Sequence, residues 1–289
     1  MKISEVLSNA AKGFAMGAAN VVPGVSGGTI ALISGIYSKI VDALSACTDK
    51  ATWKALLKGH FKEFWTCING GFVLSLAAGI LISILSLAKL VTWALAEYPV
   101  LTWAFFFGLI LASVFYMLVG IKGWKLFDAI FLIAGIGLGL AVCFLTPTKT
   151  PDALWFIFIA GAVSICTMIL PGISGSFVMQ ILGKYEYIMK AIDVSAFNWP
   201  VIIAFGAGCV VGLLAFAKFL KWLLSRWEKQ TMIVLVGFVL GTLLRVWPWY
   251  DMQAVEAAGH GLQITGAVAF CLLGIAVTVL IQILSSRKG

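Results

Sequence analysis

The sequence predicts an all-α polytopic membrane protein built from two inverted-topology repeats. Each repeat is expected to hold one re-entrant helical hairpin and three transmembrane helices. Three observations predict this fold: the apolar composition, a proline-glycine motif that occurs twice, and the uneven distribution of lysine and arginine along the chain.

The composition places the chain in the membrane class. Of its 289 residues, 62% are hydrophobic and only 11% are charged, and the mean hydropathy is +1.06. A soluble domain has no use for so much apolar surface. The net charge of +8 is explained by lysines at cytoplasmic membrane edges, so no nucleic-acid partner is expected. Charged residues near the N-terminus argue against a cleaved signal peptide.

One motif occurs once in each half of the chain. Residues 20–29 read Asn-Val-Val-Pro-Gly-Val-Ser-Gly-Gly-Thr, and residues 168–177 read Met-Ile-Leu-Pro-Gly-Ile-Ser-Gly-Ser-Phe. The two copies are 148 positions apart, and flanking residues match at the same offset, among them Gly35 with Gly183 and Tyr37 with Tyr185. Two copies with matching flanks indicate an internal duplication.

Each motif is expected to join two helical limbs by a sharp turn, because proline and glycine both break helices. The limbs are the nearly uncharged stretches 13–22 and 28–37 in the first copy, and 153–170 and 173–183 in the second. Limbs of about 10–18 residues are roughly 15–27 Å long, which is short of the hydrocarbon core of about 30 Å. We therefore predict re-entrant hairpins that enter and leave on the same side.

Three apolar stretches follow each hairpin. The first repeat, residues 1–146, has a hairpin at about 6–46 and spans at about 71–95, 100–120 and 127–146. The second repeat, residues 147–289, has a hairpin at about 153–192 and spans at about 200–224, 231–249 and 262–284. Matching residues in the spans, such as Gly79 with Gly208, have an offset of 129, so the first repeat carries about 19 extra residues.

The extra residues fall in the polar connection 45–68. Lys50, Lys54, Lys58 and Lys62 are spaced four apart there and would lie near one face of a helix. Two interpretations remain open: an amphipathic segment on an anionic membrane surface, or a solvated cytoplasmic loop.

The charge distribution predicts the orientation. Three crossings per repeat force the two repeats to insert in opposite directions. If both termini are cytoplasmic, fifteen lysine and arginine residues lie inside and five lie outside, out of 20 in the chain. This bias agrees with the positive-inside rule and predicts a multi-pass protein of the inner (plasma) membrane with cytoplasmic N- and C-termini.

The residues at the two turns are suited to an anionic group such as phosphate. Ser26 and Ser174 are expected to cap the following helices, which would present the amides of residues just after them. A helix N-terminus carries free donors and about half a positive charge, which favours phosphate. The predicted binding residues are Ser26, Gly27, Gly28, Thr29, Ser174, Gly175 and Ser176. The alternative, that the glycines serve only close helix packing, is less favoured because packing needs neither a Pro-Gly break nor a serine.

Arg245 is the candidate for a full positive charge near the substrate. It stands in an apolar run, where charged residues are costly and commonly functional. Its position before a Trp-Pro-Trp sequence is equally consistent with an anchor at the outer interface. Lys89 and Lys218 match across the repeats, and interfacial anchoring is the favoured interpretation for both.

The sequence predicts neither an enzyme nor a cofactor or metal protein. It has two histidines, in opposite halves, and no paired acidic motif or metal-ligand cluster. The six cysteines form no C-x-x-C pair and are expected to be packing residues. An anion channel or exchanger is the alternative function, since inverted repeats with glycine-rich helix termini also suit anion pathways.

The paired Pro-Gly-x-Ser-Gly hairpins resemble those of the prokaryotic polyprenyl-phosphate transporters of the PopT type, and the resemblance covers essentially the whole chain. It implies a flippase that returns undecaprenyl phosphate, or a similar polyprenyl phosphate, from the outer to the cytoplasmic leaflet. Such transport recycles the carrier lipid for peptidoglycan and surface-glycan synthesis. The resemblance leaves open a coupling ion, proton or sodium, and a homo-oligomeric state.

Overall fold

The computed structural model describes residues 3–21, 26–192, 197–250 and 263–286. The helical class is confirmed: helices account for 82% of the structure, and the described residues contain no strand. The helices are α1 (Ile3–Val21), α2 (Gly27–Ile33), α3 (Tyr37–Ala46), α4 (Lys50–Leu57), α5 (Phe61–Cys67), α6 (Gly70–Glu97), α7 (Pro99–Gly120), α8 (Asp128–Cys143), α9 (Leu154–Ile169), α10 (Gly175–Ile181), α11 (Tyr185–Ile192), α12 (Trp199–Thr242) and α13 (Ile264–Ser286).

Apolar helices occupy the stretches predicted as spans. α6, α7 and α12 are long and apolar enough to cross a membrane, and α8, α9 and α13 include shorter apolar stretches. The two predicted spans 200–224 and 231–249 run into one another as α12, interrupted by a non-helical residue at Trp227. A 3₁₀ turn, Leu243–Val246, follows α12 where the prediction had continued the span.

The second limb of each hairpin is shorter than the sequence predicts. α2 ends at Ile33, and α3 leaves it at 116°. The bend is made at Gly35, whose φ of +68° lies in the left-handed region that glycine adopts readily. Gly183, with φ +63°, makes the corresponding break between α10 and α11. The expectation of unbroken limbs over 28–37 and 173–183 is therefore wrong.

The chain forms two compact units, and each unit draws on both halves of the sequence. Unit 1 contains residues 1–84 and 145–228, so it holds both hairpins and the start of α6 and α12. Unit 2 contains residues 85–144 and 229–289. The boundaries predicted for the repeats, 1–146 and 147–289, remain a prediction about duplication and orientation.

Unit 1 packs its two hairpins in the same way. A Cβ at Gly13 in α1 would overlap the carbonyl oxygen of Leu76 in α6, and one at Gly79 would overlap that of Ala10. In the second half, Gly161 and Gly208 have the same relation to Phe205 and Phe158, which stand at the matching positions. Close backbone approach at small residues is typical of helix pairs in membranes.

Unit 2 is also built on close crossings. A Cβ at Gly135 would overlap the carbonyl oxygen of Val234, so α8 lies directly against the second part of α12. α7 and α13 pack around the buried residues Val100, Ala104 and Ala267.

Candidate substrate-binding site

The described residues of the first turn, 26–29, lie buried in unit 1, and the amides of residues 27–29 have protein acceptors. Ser26 is the N-cap of α2, with extended backbone (φ −111°, ψ 136°), and its Oγ accepts from the Gly28 amide at 3.1 Å. The Gly27 amide donates to Asn20 Oδ1 at 2.7 Å, and the Thr29 amide donates to the Ser26 carbonyl at 2.9 Å. Ser26 and Thr29 are only 2% and 1% exposed. The donors predicted for phosphate at this turn are therefore engaged within the protein. Residues 22–25 of the motif lie outside the described residues.

The two motifs contact one another. Ser26 Oγ donates to the Leu170 carbonyl at 3.3 Å, and the Gly172 amide donates to Thr29 Oγ1 at 2.8 Å. Each bond joins residues more than 140 positions apart. The start of α2 thus supports the backbone of the second turn. The two segments also approach closely at Gly28, where a Cβ would lie only 2.7 Å from a carbonyl oxygen of α9.

The second turn is more open. Ser174 has nearly the same backbone conformation as Ser26 (φ −91°, ψ 138°), yet its side chain makes no capping hydrogen bond. Its Oγ lies 2.6 Å from Ser176 Oγ instead. Both serines and Gly175 are partly exposed. The amides of Gly175 and Ser176 find no acceptor among the residues that the structure describes.

Sequence differences between the two motifs explain this contrast. Met168 stands where Asn20 stands in the first copy, so the second turn lacks the amide oxygen that engages the Gly27 amide. Ser176 replaces Gly28 and provides the hydroxyl that pairs with Ser174. Because Phe177 stands at the position of Thr29, each copy has two hydroxyl residues. Only the second copy leaves the amides of its first two helical residues, Gly175 and Ser176, without an acceptor in the described structure.

Two further hydroxyl residues of α9 lie beside the second turn. Ser164 is buried, and its Oγ has no hydrogen-bond partner among the described residues. Thr167 Oγ1 donates to the Ser164 carbonyl at 2.8 Å, and a Cβ at Gly175 would lie 2.8 Å from that same oxygen. Sequence reasoning missed both residues. Position-by-position comparison of the repeats could have found them, since the first copy has Met16 and Ala19 at these places.

A short connector between the halves, residues 146–152, is attached to the bend of the second hairpin. Lys184 is 2% exposed, donates through Nζ to the Thr150 carbonyl at 2.8 Å and pairs with Asp152. The Thr148 amide donates to the Ile181 carbonyl at 2.9 Å. The connector therefore holds the α10–α11 bend on one side of the second turn.

The other basic residues considered in the sequence analysis lie away from the two turns in the sequence. Arg245 belongs to unit 2 and is half-buried in the 3₁₀ turn, with its guanidinium carbon 4.7 Å from the centre of the Tyr250 ring. Lys89 and Lys218 are exposed on α6 and α12. The structure thus groups the turn residues in unit 1, while Arg245 has an aromatic neighbour in its own unit.

Comparison with known proteins is decisive for the family. Residues 16–264 match the family described as undecaprenyl phosphate translocase-like. The chain belongs to this family. The match begins within the first hairpin and covers the second hairpin and every predicted span except most of the last.

Two curated relatives have the same name. The chain is 42% identical over 266 residues to a polyprenyl-phosphate transporter of Vibrio cholerae, covering 91% of this chain and 84% of the relative. It is 32% identical over 257 residues to a polyprenyl-phosphate transporter of Staphylococcus aureus, covering 83% and 86%. No solved structure matches the chain at a significant level. The family resemblance inferred from the paired motifs is confirmed.

Proposed function

We propose that this protein is a membrane transporter that moves undecaprenyl phosphate, or a similar polyprenyl phosphate, from the outer to the cytoplasmic leaflet. Family membership and the names of the two relatives support the substrate class. The direction follows from the proposed role in recycling the carrier lipid for the cell envelope. Transport without covalent chemistry is expected, so no enzymatic activity is proposed.

The observation that carries the proposal is the pairing of the two Pro-Gly-x-Ser-Gly turns inside one compact unit. The second turn combines two partly exposed hydroxyls, Ser174 and Ser176, with the open amides of Gly175 and Ser176. Hydroxyl and main-chain donors of this kind suit the oxygens of a phosphate. Gly175 lets the start of α10 lie close to the Ser164 carbonyl of α9. We place the headgroup against this turn.

The first turn contributes to the same site in this proposal. Ser26 and Thr29 hold the backbone of residues 170–172 through two hydrogen bonds. Gly28 allows the motifs to approach, and Gly27 leaves room for the Asn20 side chain of its own motif. During transport the headgroup is proposed to contact the donors of this turn as well, when the hydrogen bonds to Asn20 and Ser26 open. Arg245 is proposed as a positive charge on the substrate path.

The test is a flipping assay in proteoliposomes with fluorescently labelled polyprenyl phosphate. Label in the outer leaflet is reduced chemically, so the protected fraction reports movement between leaflets. We expect at least tenfold faster exchange than in protein-free vesicles, and no acceleration for the corresponding uncharged polyprenol. Repeating the assay with imposed proton or sodium gradients tests coupling.

Three results would contradict the proposal. Equal acceleration of the polyprenol would show that the phosphate is not recognised. Chloride or inorganic phosphate flux without lipid movement would favour the alternative function, an anion channel or exchanger. Release of inorganic phosphate from a polyprenyl phosphate or pyrophosphate would identify an enzyme.

A further inference from the structure

The connection between the first hairpin and α6 folds into two short helices, α4 and α5, which we call the lysine-rich segment (residues 50–67). The second half of the sequence is about 19 residues shorter in the corresponding place. The apolar stretch of α6 begins at Gly70, only three residues after α5 ends. Covalent continuity therefore keeps this segment close to the boundary between membrane and water.

α4 has one face on the protein and an opposite face that is uncovered. Thr52 and Ala55 are buried. At about 100° per residue, Trp53 and Leu57 point away from those two positions. Leu57 is 84% exposed, and Trp53, also exposed, donates through Nε1 to the Cys47 carbonyl at 2.7 Å. An uncovered leucine and tryptophan on the same side form an apolar stripe.

The rest of the protein covers α5 even less than it covers α4. It has no buried residue, although four of its seven residues are apolar, namely Phe61, Phe64, Trp65 and Cys67. Phe61, Phe64 and Trp65 lie near one face at helical spacing. The Trp65 ring also contacts Gly70, the first residue of α6. The aromatic face thus adjoins the start of the apolar span.

Four lysines accompany this apolar stripe. Each lysine is exposed and is adjacent in sequence to an exposed apolar residue; the four are Lys50, Lys54, Lys58 and Lys62. None of them has an ion-pair partner in the described part of the chain. Aromatic residues with neighbouring lysines are typical of helices that lie in the membrane interface and attract anionic lipids.

We propose that the lysine-rich segment binds the anionic phospholipid surface of the bilayer, at the membrane face where α6 begins. Trp53, Leu57 and Phe61 enter the boundary between headgroups and acyl chains, and the four lysines contact phospholipid phosphates. The partner is the membrane surface itself, and the proposal does not depend on which lipid the protein transports. The segment would fix the position of the first hairpin relative to one leaflet.

The experiment measures amide hydrogen exchange of the full-length protein in two kinds of nanodisc. One contains phosphatidylcholine alone, and the other contains phosphatidylcholine with about 30% phosphatidylglycerol. We expect exchange of residues 50–67 to be at least threefold slower in the anionic nanodiscs. The variant K50Q/K54Q/K58Q/K62Q should lose this difference, because its attraction to anionic headgroups is removed.

The matched control is K122Q/K149Q/K190Q/K125Q, which removes the same four charges from exposed lysines elsewhere. Both variants have a formal net charge of +4, from +8 − 4. The control should keep the lipid-dependent protection. Loss of protection in both variants would show a non-specific effect of net charge and overturn the proposal.

A spin label reports the depth of the segment independently. In a cysteine-substituted background, a label at Leu57→Cys should be reached by oxygen from the lipid, whereas a label at Glu63→Cys should be reached by a water-soluble nickel reagent. Equal water accessibility at both positions would overturn insertion of the apolar stripe. Identical exchange in both lipids, with Leu57 inserted, would overturn the role of the lysines.

Discussion

The turn after α1 and the turn after α9 start from nearly the same sequence and reach different hydrogen-bonding states. At the first turn, Asn20 and Ser26 accept hydrogen bonds from the amides that begin α2, and residues 26–29 are buried. At the second, Ser174 pairs with Ser176, and the amides that begin α10 stay open within the described structure. The two serines thus have nearly the same backbone conformation, and the sequence differences between the motifs give their polar groups different partners.

The two turns are therefore suited to different roles. The first turn supports the structure, and the second turn has donors that are available to a ligand. Buried hydrogen bonds between the motifs stabilise the structure, because an unmade buried bond costs about 1–3 kcal/mol. Partly exposed donors contribute little to stability, yet they are available to a ligand. We therefore expect changes at the second turn to affect transport first, and changes at the first turn to affect stability first.

The largest effect on transport is expected for the double variant S174A/S176A. It removes both hydroxyls that we place against the headgroup, and within the described part of the chain these two hydroxyls bond to each other. Transport per folded molecule should fall at least tenfold, with the melting temperature nearly unchanged. Flipping rate and thermal stability would be measured on the same preparation. Normal specific transport in this variant would contradict our placement of the headgroup.

A loss of stability is expected at the first turn for Thr29→Val. The nearly isosteric valine removes the acceptor of the Gly172 amide without opening a cavity. The free energy of unfolding should fall by about 1–3 kcal/mol. The control Thr29→Ser keeps an Oγ and should lose less. A thermal-unfolding series in detergent distinguishes them, and an unchanged valine variant would show that the contact between the motifs is unimportant.

A smaller effect is expected when the second turn is given the acceptor of the first. Met168→Asn introduces an amide oxygen at the position matching Asn20, where it should accept from the Gly175 amide. The variant should bind the headgroup less well and transport it a few times more slowly, with equal or higher thermal stability. Met168→Leu is the matched control and should behave like the wild type. Faster transport in the asparagine variant would contradict the role of the open amide.

Much of the fold follows from local sequence patterns. Hydropathy located the apolar helices, and the matches of Gly13 with Gly161 and Gly79 with Gly208 fall on the close crossings of unit 1. Both signals are local, because length, periodicity and residue size determine them. The helical bend after α2 was missed: Gly35 was recognised as a repeated residue, but one glycine in an apolar stretch is also tolerated within a helix.

The site was less predictable for a physical reason. The predicted turn residues of both motifs lie in one unit, but the availability of their donors depends on contacts across more than 140 residues. No local pattern shows that Thr29 supports Gly172 or that residues 26–29 are buried. Ser164 and Thr167 were also missed, because single hydroxyl residues in an apolar helix commonly bond to their own backbone.

The smallest effect is expected at the bend of the second hairpin. Lys184 and Ile36 occupy matching positions and are equally buried, at 2% exposure each. Ile36 needs no polar partner, whereas Lys184 places its charge on Asp152 and the Thr150 carbonyl. Replacing a buried ion pair by an apolar side chain is often nearly neutral, whereas removing one buried partner without filling the space is costly.

The variant Lys184→Ile therefore gives the second bend the residue of the first. Isoleucine should fill most of the space that the lysine side chain occupies. Asp152 is largely exposed, so its carboxylate stays solvated after the substitution. We expect the free energy of unfolding to change by less than about 1.5 kcal/mol. Hydrogen exchange of residues 146–152 should become faster, because the lysine no longer holds the connector, while transport stays near normal.

Lys184→Ala is the control that leaves a cavity, and it should lower the free energy of unfolding more. A loss of transport in the isoleucine variant, with stability retained, would show that the attached connector takes part in the transport cycle and is more than a support for the second hairpin.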